Sequence, residues 1–226
     1  MDGNGRWARR RALKRLRGHR EGAASGRVIT EESARLGIGQ LTLYALSWDN
    51  FHKRPEQEVR GLMRLLDRYL RDELPTMMKN NILLRTIGEI EEFPPKLRER
   101  IADTAEKTSS NTGMTLCLAL NYGGRREIAR AARLLAERVL RGELKPEDID
   151  VPAFARSLFT GDAPDVDLLI RTGGDMRVSD FLLWQISYAE IYVTETFWPD
   201  FRVEQFHRAL DWFAGRHRRF GAVEED

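Results

Sequence analysis

Short apolar runs alternate along this chain with longer segments in which apolar residues recur every three or four positions. Leu41–Leu46, Ile82–Gly88, Thr115–Leu120 and Val166–Arg171 are too short for buried helices and mostly too apolar for half-exposed strands. Each therefore reads as a strand covered on both faces, with Glu190–Val193 as a further short one. Between and around them, helices are predicted over Glu21–Leu36, from Glu56 through Leu70, from Pro95 to Thr108, from Arg125 to Gly142, over Phe181–Tyr188 and from Val203 to Arg218. Such alternation predicts an α/β fold with a mostly parallel central sheet flanked by helices on both faces. At 226 residues and 42% hydrophobic, with no Pro/Gly/Ser-rich linker, residues 1–226 are expected to form one domain.

The charges nearly cancel, 37 Lys+Arg against 35 Asp+Glu, so no overall field draws the chain to nucleic acid. The one basic block, Arg6 to Arg20, has only Trp7 and His19 as candidate stacking rings, and no nucleic-acid partner is expected. Cys117, the single cysteine, lies in an apolar run and reads as a buried, inert thiol. No run approaches the roughly 18 apolar residues of a membrane span, and the basic start lacks an apolar signal region. A cytoplasmic protein is expected, able to work at a membrane surface.

In open parallel sheets, ligands bind at the C-terminal ends of the strands, and there the polar residues cluster. Ser47-Trp48-Asp49-Asn50 and Arg54-Pro55 follow one strand, and Arg171 to Asp180 follow another, with Arg177 and Ser179 among them. Chain reversals should bring Asp2, Asn50 and Arg177 to one rim. Asp2-Gly3-Asn4-Gly5-Arg6 combines a hard oxygen ligand for Mg²⁺, glycines that let the backbone approach closely, and a guanidinium fork for phosphate oxygens. The run reads as a diphosphate–Mg²⁺ cradle, although Gly-Asn-Gly alone is equally ordinary turn chemistry. His19 is either a phosphate donor or a hydrogen-bonded structural group. Gly123-Gly124 meets a helix N-terminus, a place for an anion or for tight packing.

Taken together, Asp2-Gly3-Asn4-Gly5-Arg6-Trp7-Ala8, Gly18-His19-Arg20, Leu43-Tyr44-Ala45 with Ser47 and Asn50, and Asn121-Tyr122-Gly123-Gly124-Arg125 form an ordered set. Asp167 to Gly174, Phe181-Leu182-Leu183-Trp184-Gln185, Tyr188-Ala189-Glu190, Trp198-Pro199-Asp200-Phe201 and Arg219-Phe220-Gly221 continue it. The set resembles the cis-prenyltransferase family, in its bacterial undecaprenyl diphosphate synthase branch. The resemblance implies Mg²⁺-dependent condensation of isopentenyl diphosphate onto an allylic primer such as farnesyl diphosphate, an apolar tunnel for a long product, and a homodimer. It implies Asp2 and Asn50 as catalytic residues and Mg²⁺ held by Asp2 with Glu190 nearby. It further implies substrate binding by Gly3, Asn4, Gly5, Arg6, Trp7, Arg15, His19, Ser47, Asp49, Arg54, Arg171, Arg177 and Ser179. Arg219 and Gly221 resemble a tail motif that reaches a partner's site. A short-chain synthase and a non-catalytic partner subunit are the alternatives within the fold. No Asp-Asp-x-x-Asp motif is present, which argues against trans-prenyltransferases. The family pattern also has an apolar strand leading into Met1, expected to be missing here. Asp180 replaces a usual asparagine, and its charge beside Ser179 is expected to repel a diphosphate.

Overall fold

The computed structural model describes residues 1–216, and its strands fall where the apolar runs lie. They are β1 (Gln40–Ser47), β2 (Leu83–Ile87), β3 (Thr115–Tyr122), β4 (Leu168–Thr172) and β5 (Glu190–Thr194). The helices are α1 (Asn4–Arg10), α2 (Arg15–Arg35), α3 (Trp48–Lys53), α4 (Glu56–Lys79), α5 (Pro95–Lys107), α6 (Gly124–Leu140), α7 (Val151–Arg156) and α8 (Val203–Ala214).

Strand β3 shows why the apolar runs are continuous. Leu116, Leu118 and Leu120 point into a core shared with Ile29 of α2, Leu70 of α4 and Ile101 of α5. Cys117, Ala119 and Tyr122 enter a second core with Leu169, Phe181 and Leu182. Both faces are buried, and each fully buried leucine contributes about 2 kcal/mol. Cys117 is 3% exposed, and burial pushes its thiol up to about 12, as expected of an inert buried thiol.

All strand pairs are parallel, as expected, but they form two sheets rather than one. One has the order β1-β3-β2 and the other pairs β4 with β5. Among the described residues, no ladder joins β1 to β4, and each leaves an unpaired backbone edge.

Other departures have local causes. The predicted helix at 181–188 is a succession of turns, because Leu182 sits at φ 46° and interrupts helical geometry at its start. Helix α2 begins at Arg15 rather than Glu21. Its Gly18 lets α1 lie directly against it: a Cβ there would fall 2.0 Å from Asn4 O. Helix α8 ends at Ala214, and Arg219 and Gly221 lie outside the described residues. Among the described residues, no helix is long and apolar enough to cross a membrane.

Candidate active site

The polar clusters meet around one cavity of about 1620 Å³. Residue 2 is fixed at the C-terminal end of β4. Asp2 N donates to Thr172 Oγ1 (2.9 Å), that hydroxyl donates back to Asp2 O (2.9 Å), and Trp198 N donates to the same carbonyl (2.9 Å). Gly3 follows at φ 103°, where a Cβ would lie 2.6 Å from the Phe197 ring, so conformation and space both require glycine.

The Asp2 carboxylate accepts from Gly3 N (2.6 Å) and Arg171 Nη2 (2.8 Å), and Arg6 Nη2 lies 3.3 Å from it. Burial raises its pKa, but the Gly3 amide and the Arg171 and Arg6 guanidiniums outweigh burial and hold it below the ordinary value. Asp175 is the second anchor. It accepts from Arg177 Nη2 (2.6 Å) and lies 3.5 Å from both Arg6 and Arg171. Arg171 also donates to Ser179 Oγ (2.7 Å) and to the Arg177 carbonyl. Arg6, Arg171 and Arg177 are thus held together by carboxylates that an incoming anion can replace, and Ser179 is held by Arg171.

A second cationic group is built on Glu58. Its Oε1 accepts from Arg54 Nη1 (2.9 Å), with Arg15 Nε at 3.3 Å and His19 Nε2 at 3.8 Å. Burial, then Arg54 and Arg15, push the His19 pKa down to about 4, so its imidazole is neutral at pH 7. Among the described residues, His19 Nε2, Asn4 Oδ1 and Arg171 Nε are buried without hydrogen-bond partners, which marks where a polar ligand would be gripped.

Gly3, Asn4, Gly5, Ser47, Asn50 and Arg54 line the same cavity. Ser47 Oγ accepts from Asn50 N (3.1 Å), which starts α3 at the end of β1. Asp49 lines it too, but its carboxylate pairs with Lys53 at 2.8 Å. Two expected residues stand apart. Trp7 donates from Nε1 to Asp200 (2.7 Å) on the outer side of α1, beneath the Arg11 guanidinium. Glu190 pairs with Arg216 (3.1 Å) and stands opposite Leu168, at the other end of β4 from the Thr172 that holds Asp2.

Asp180 borders the cavity, and its carboxylate is engaged by α6, where Oδ1 accepts from Arg125 N (2.9 Å). The Gly123-Gly124 pair serves close packing: a Cβ at Gly124 would lie 2.9 Å from Leu183 Cγ. Glu58 and Asp175 were not among the expected site residues. Their signal was present as acids one helical turn beyond Arg54 and four residues beyond Arg171.

Ile29, Leu43, Leu62, Leu66, Leu118 and Phe206 line an apolar part of the cavity. Unbroken runs, 38–50 and 164–171, line it as well. Alternate residues of a strand share a face, so an unbroken lining means that the cavity also meets the open edges of β1 and β4. Part of its volume lies between the sheets.

Among the described residues, no group of three or more His, Cys, Asp or Glu gathers as a metal site. Mg²⁺ is commonly held by one or two carboxylates and completed by phosphate oxygens and water. The Asp2 carboxylate is 39% exposed at the cavity and has lone pairs beyond those used by Gly3 and Arg171, so it fits such an ion.

Residues 1–221 match the family model described as putative undecaprenyl diphosphate synthase. An isoprenyl transferase of Geobacter sulfurreducens is 48% identical over 221 residues, covering 98% of this chain and 89% of the relative. A farnesyl-diphosphate-specific ditrans,polycis-undecaprenyl-diphosphate synthase of Vibrio cholerae is 48% identical over 225 residues, covering 100% of this chain and 90% of the relative. Among solved structures, lavandulyl diphosphate synthase from Lavandula x intermedia, in complex with dimethylallyl diphosphate, aligns with a TM-score of 0.95 at 36% identity, over 98% of this chain and 95% of that one. A probable undecaprenyl diphosphate synthase from Campylobacter jejuni aligns at 0.77 and 37% identity, over 89% and 92%.

Proposed function

The chain belongs to the undecaprenyl diphosphate synthase family of prenyltransferases, and from that premise we propose that it condenses isopentenyl diphosphate repeatedly onto farnesyl diphosphate, with Mg²⁺, to give a long cis-polyprenyl diphosphate. The observation that carries this reading is the meeting of two arginine groups, Asp2 and an apolar wall in one cavity. Two diphosphates repel each other strongly at reacting distance. Guanidiniums placed beforehand offset that repulsion, and in a partly dry site they act with little reorganisation.

In this reading, the primer's diphosphate sits on the first-turn amides of α1 with Asn4, Arg6 and the neutral His19, which donates a hydrogen bond without adding charge. Arg15 and Arg54 exchange Glu58 for phosphate oxygens. Arg171, Arg177 and Ser179 hold the diphosphate of isopentenyl diphosphate, and Ser47 and Asn50 border the reacting carbons. Asp2 would hold Mg²⁺, which when bound neutralises the charge that develops on the departing diphosphate. Arg171, bonded to Asp2 and Ser179 at once, would keep the two diphosphates in a fixed relation.

The apolar wall favours retention of a growing chain. Each five-carbon unit buried contributes roughly 4 kcal/mol, at about 0.8 kcal/mol per carbon. Ala45, small and facing the cavity, supports a long product. A short-chain synthase is the second reading, favoured by the backbone match to lavandulyl diphosphate synthase, but identity is higher to the undecaprenyl enzymes, 48% against 36%. The joint presence of Asp2, Arg6, Arg171, Arg177 and Ser179 argues against a non-catalytic subunit. The reading includes a homodimer. We place the enzyme in the cytoplasm, with product release at a membrane surface. Asp2→Ala should lower incorporation of labelled isopentenyl diphosphate by about 100-fold or more while circular dichroism stays unchanged. Full activity in that variant would overturn the metal assignment.

A further inference from the structure

The segment that carries Ser179 is held in a conformation its residues do not favour. Ser179 (φ 52°), Asp180 (φ 62°) and Leu182 (φ 46°) are all left-handed, and none is glycine. Such a segment persists only where its surroundings over-determine it. Here the over-determination comes largely through one residue. Asp180 Oδ1 accepts from Arg125 N (2.9 Å) and Asp180 O accepts from Gly124 N (2.8 Å), so side chain and main chain both grip the first turn of α6. That helix has 17 residues, and a carboxylate at its start is favoured by the exposed amides and the helix dipole. On either side of Asp180, Ser179 Oγ accepts from Arg171 and Phe181 stacks on Tyr44 with ring centroids 4.4 Å apart. The left-handed turn is therefore what aims Ser179 at Arg171.

We propose that Asp180 is a positioning residue: docked on the α6 N-terminus, it holds Ser179 and Arg177 in the arrangement that receives the diphosphate of the condensing substrate. The inference rests on the reading of Arg171, Arg177 and Ser179 given above. Asp180 borders the cavity, but its Oδ1 is already engaged by the start of α6. Asparagine keeps the oxygen acceptor for Arg125 N, whereas alanine removes it. Gly123→Ala disturbs the same contact from the other partner, because its Cβ would come within 2.6 Å of Asp180 Oδ2 while its extended backbone (φ −152°) accepts alanine.

Backbone hydrogen exchange on the ligand-free protein reads the latch without any substrate. Asp180→Ala and Gly123→Ala should lose at least about tenfold protection at Gly124, Arg125 and 179–182, with the core strands unchanged, and Asp180→Asn should stay near the parent. Steady-state kinetics and calorimetry with isopentenyl diphosphate read the consequence. Asp180→Ala should raise its KM and Kd by about tenfold or more and leave the KM for farnesyl diphosphate within about twofold, with rescue by Asp180→Asn. Unchanged exchange in Asp180→Ala, or KM values for both substrates that rise together, would overturn the proposal. If the parent protein fails to bind isopentenyl diphosphate, the reading of the reaction fails, and the exchange result still decides the latch.

Discussion

His19 makes the fold acid-sensitive, and the size of the effect follows from its surroundings. The ring is 13% exposed, lies between Arg15 and Arg54, and stands 3.8 Å from a Glu58 already engaged by both arginines. Burial and the two guanidiniums lower its pKa from 6.5 to about 4. Because the folded value lies below the unfolded one, the unfolded chain binds the extra proton between these pH values. Stability is therefore intact above pH 6.5 and falls as the pH drops toward 4. With those two values, the loss between pH 7.5 and pH 5 is about 2 kcal/mol, approaching roughly 3 kcal/mol below pH 4. Urea unfolding at pH 7.5 and pH 5 measures it, and His19→Gln supplies the control, since every other titrating group is shared. The parent should lose about 2 kcal/mol more than His19→Gln over that interval. Equal losses in both proteins would show that the imidazole is not held neutral by this pocket.

Glu127 is 1% exposed and accepts from Tyr122 Oη, Gln185 Nε2 and Phe159 N, so Glu127→Ala removes the acceptor of three donors, of which Gln185 Nε2 keeps Thr160 Oγ1. It should cost roughly 3–5 kcal/mol and lower Tm by about 10 °C in a thermal melt. Leu66→Trp narrows the apolar part of the cavity and should shift products toward shorter chains on reversed-phase chromatography, with little change in the first condensation. An extended apolar segment of about seven residues, joined ahead of Met1, should pair with the open edges of β1 and β4 and raise Tm by about 5 °C or more; an unchanged melt would refute that pairing.

The strands were legible because burial on both faces makes each a nearly unbroken apolar run, as β3 shows. The rim was legible too, since Asp2, Asn50 and Arg177 do border one cavity. Helix α1 and the first turn of α2 were not. Arginine favours helix, but glycine weakens it and the apolar residues are too few to show a helical spacing, and the packing depends on glycines such as Gly18 that let backbones touch. The 181–188 turns were misread because apolar residues at helical spacing do not reveal the left-handed Leu182. Trp7 adjoins Arg6 in sequence and Glu190 entered through the family resemblance, yet the helical repeat turns Trp7 outward and strand register sets Glu190 at the far end of β4. Charge alone marks Asp180 as a source of repulsion, and its bond to a helix terminus 55 positions away along the chain could not be read from charge.

The most direct test is to incubate the protein with farnesyl diphosphate, radiolabelled isopentenyl diphosphate and Mg²⁺, with and without EDTA, and to resolve the products by chain length. The account predicts a Mg²⁺-dependent ladder ending in long polyprenyl diphosphates and no product with EDTA. Products that stop after one or two additions would contradict the long-chain reading, and product formation unaffected by EDTA would contradict the role given to Asp2.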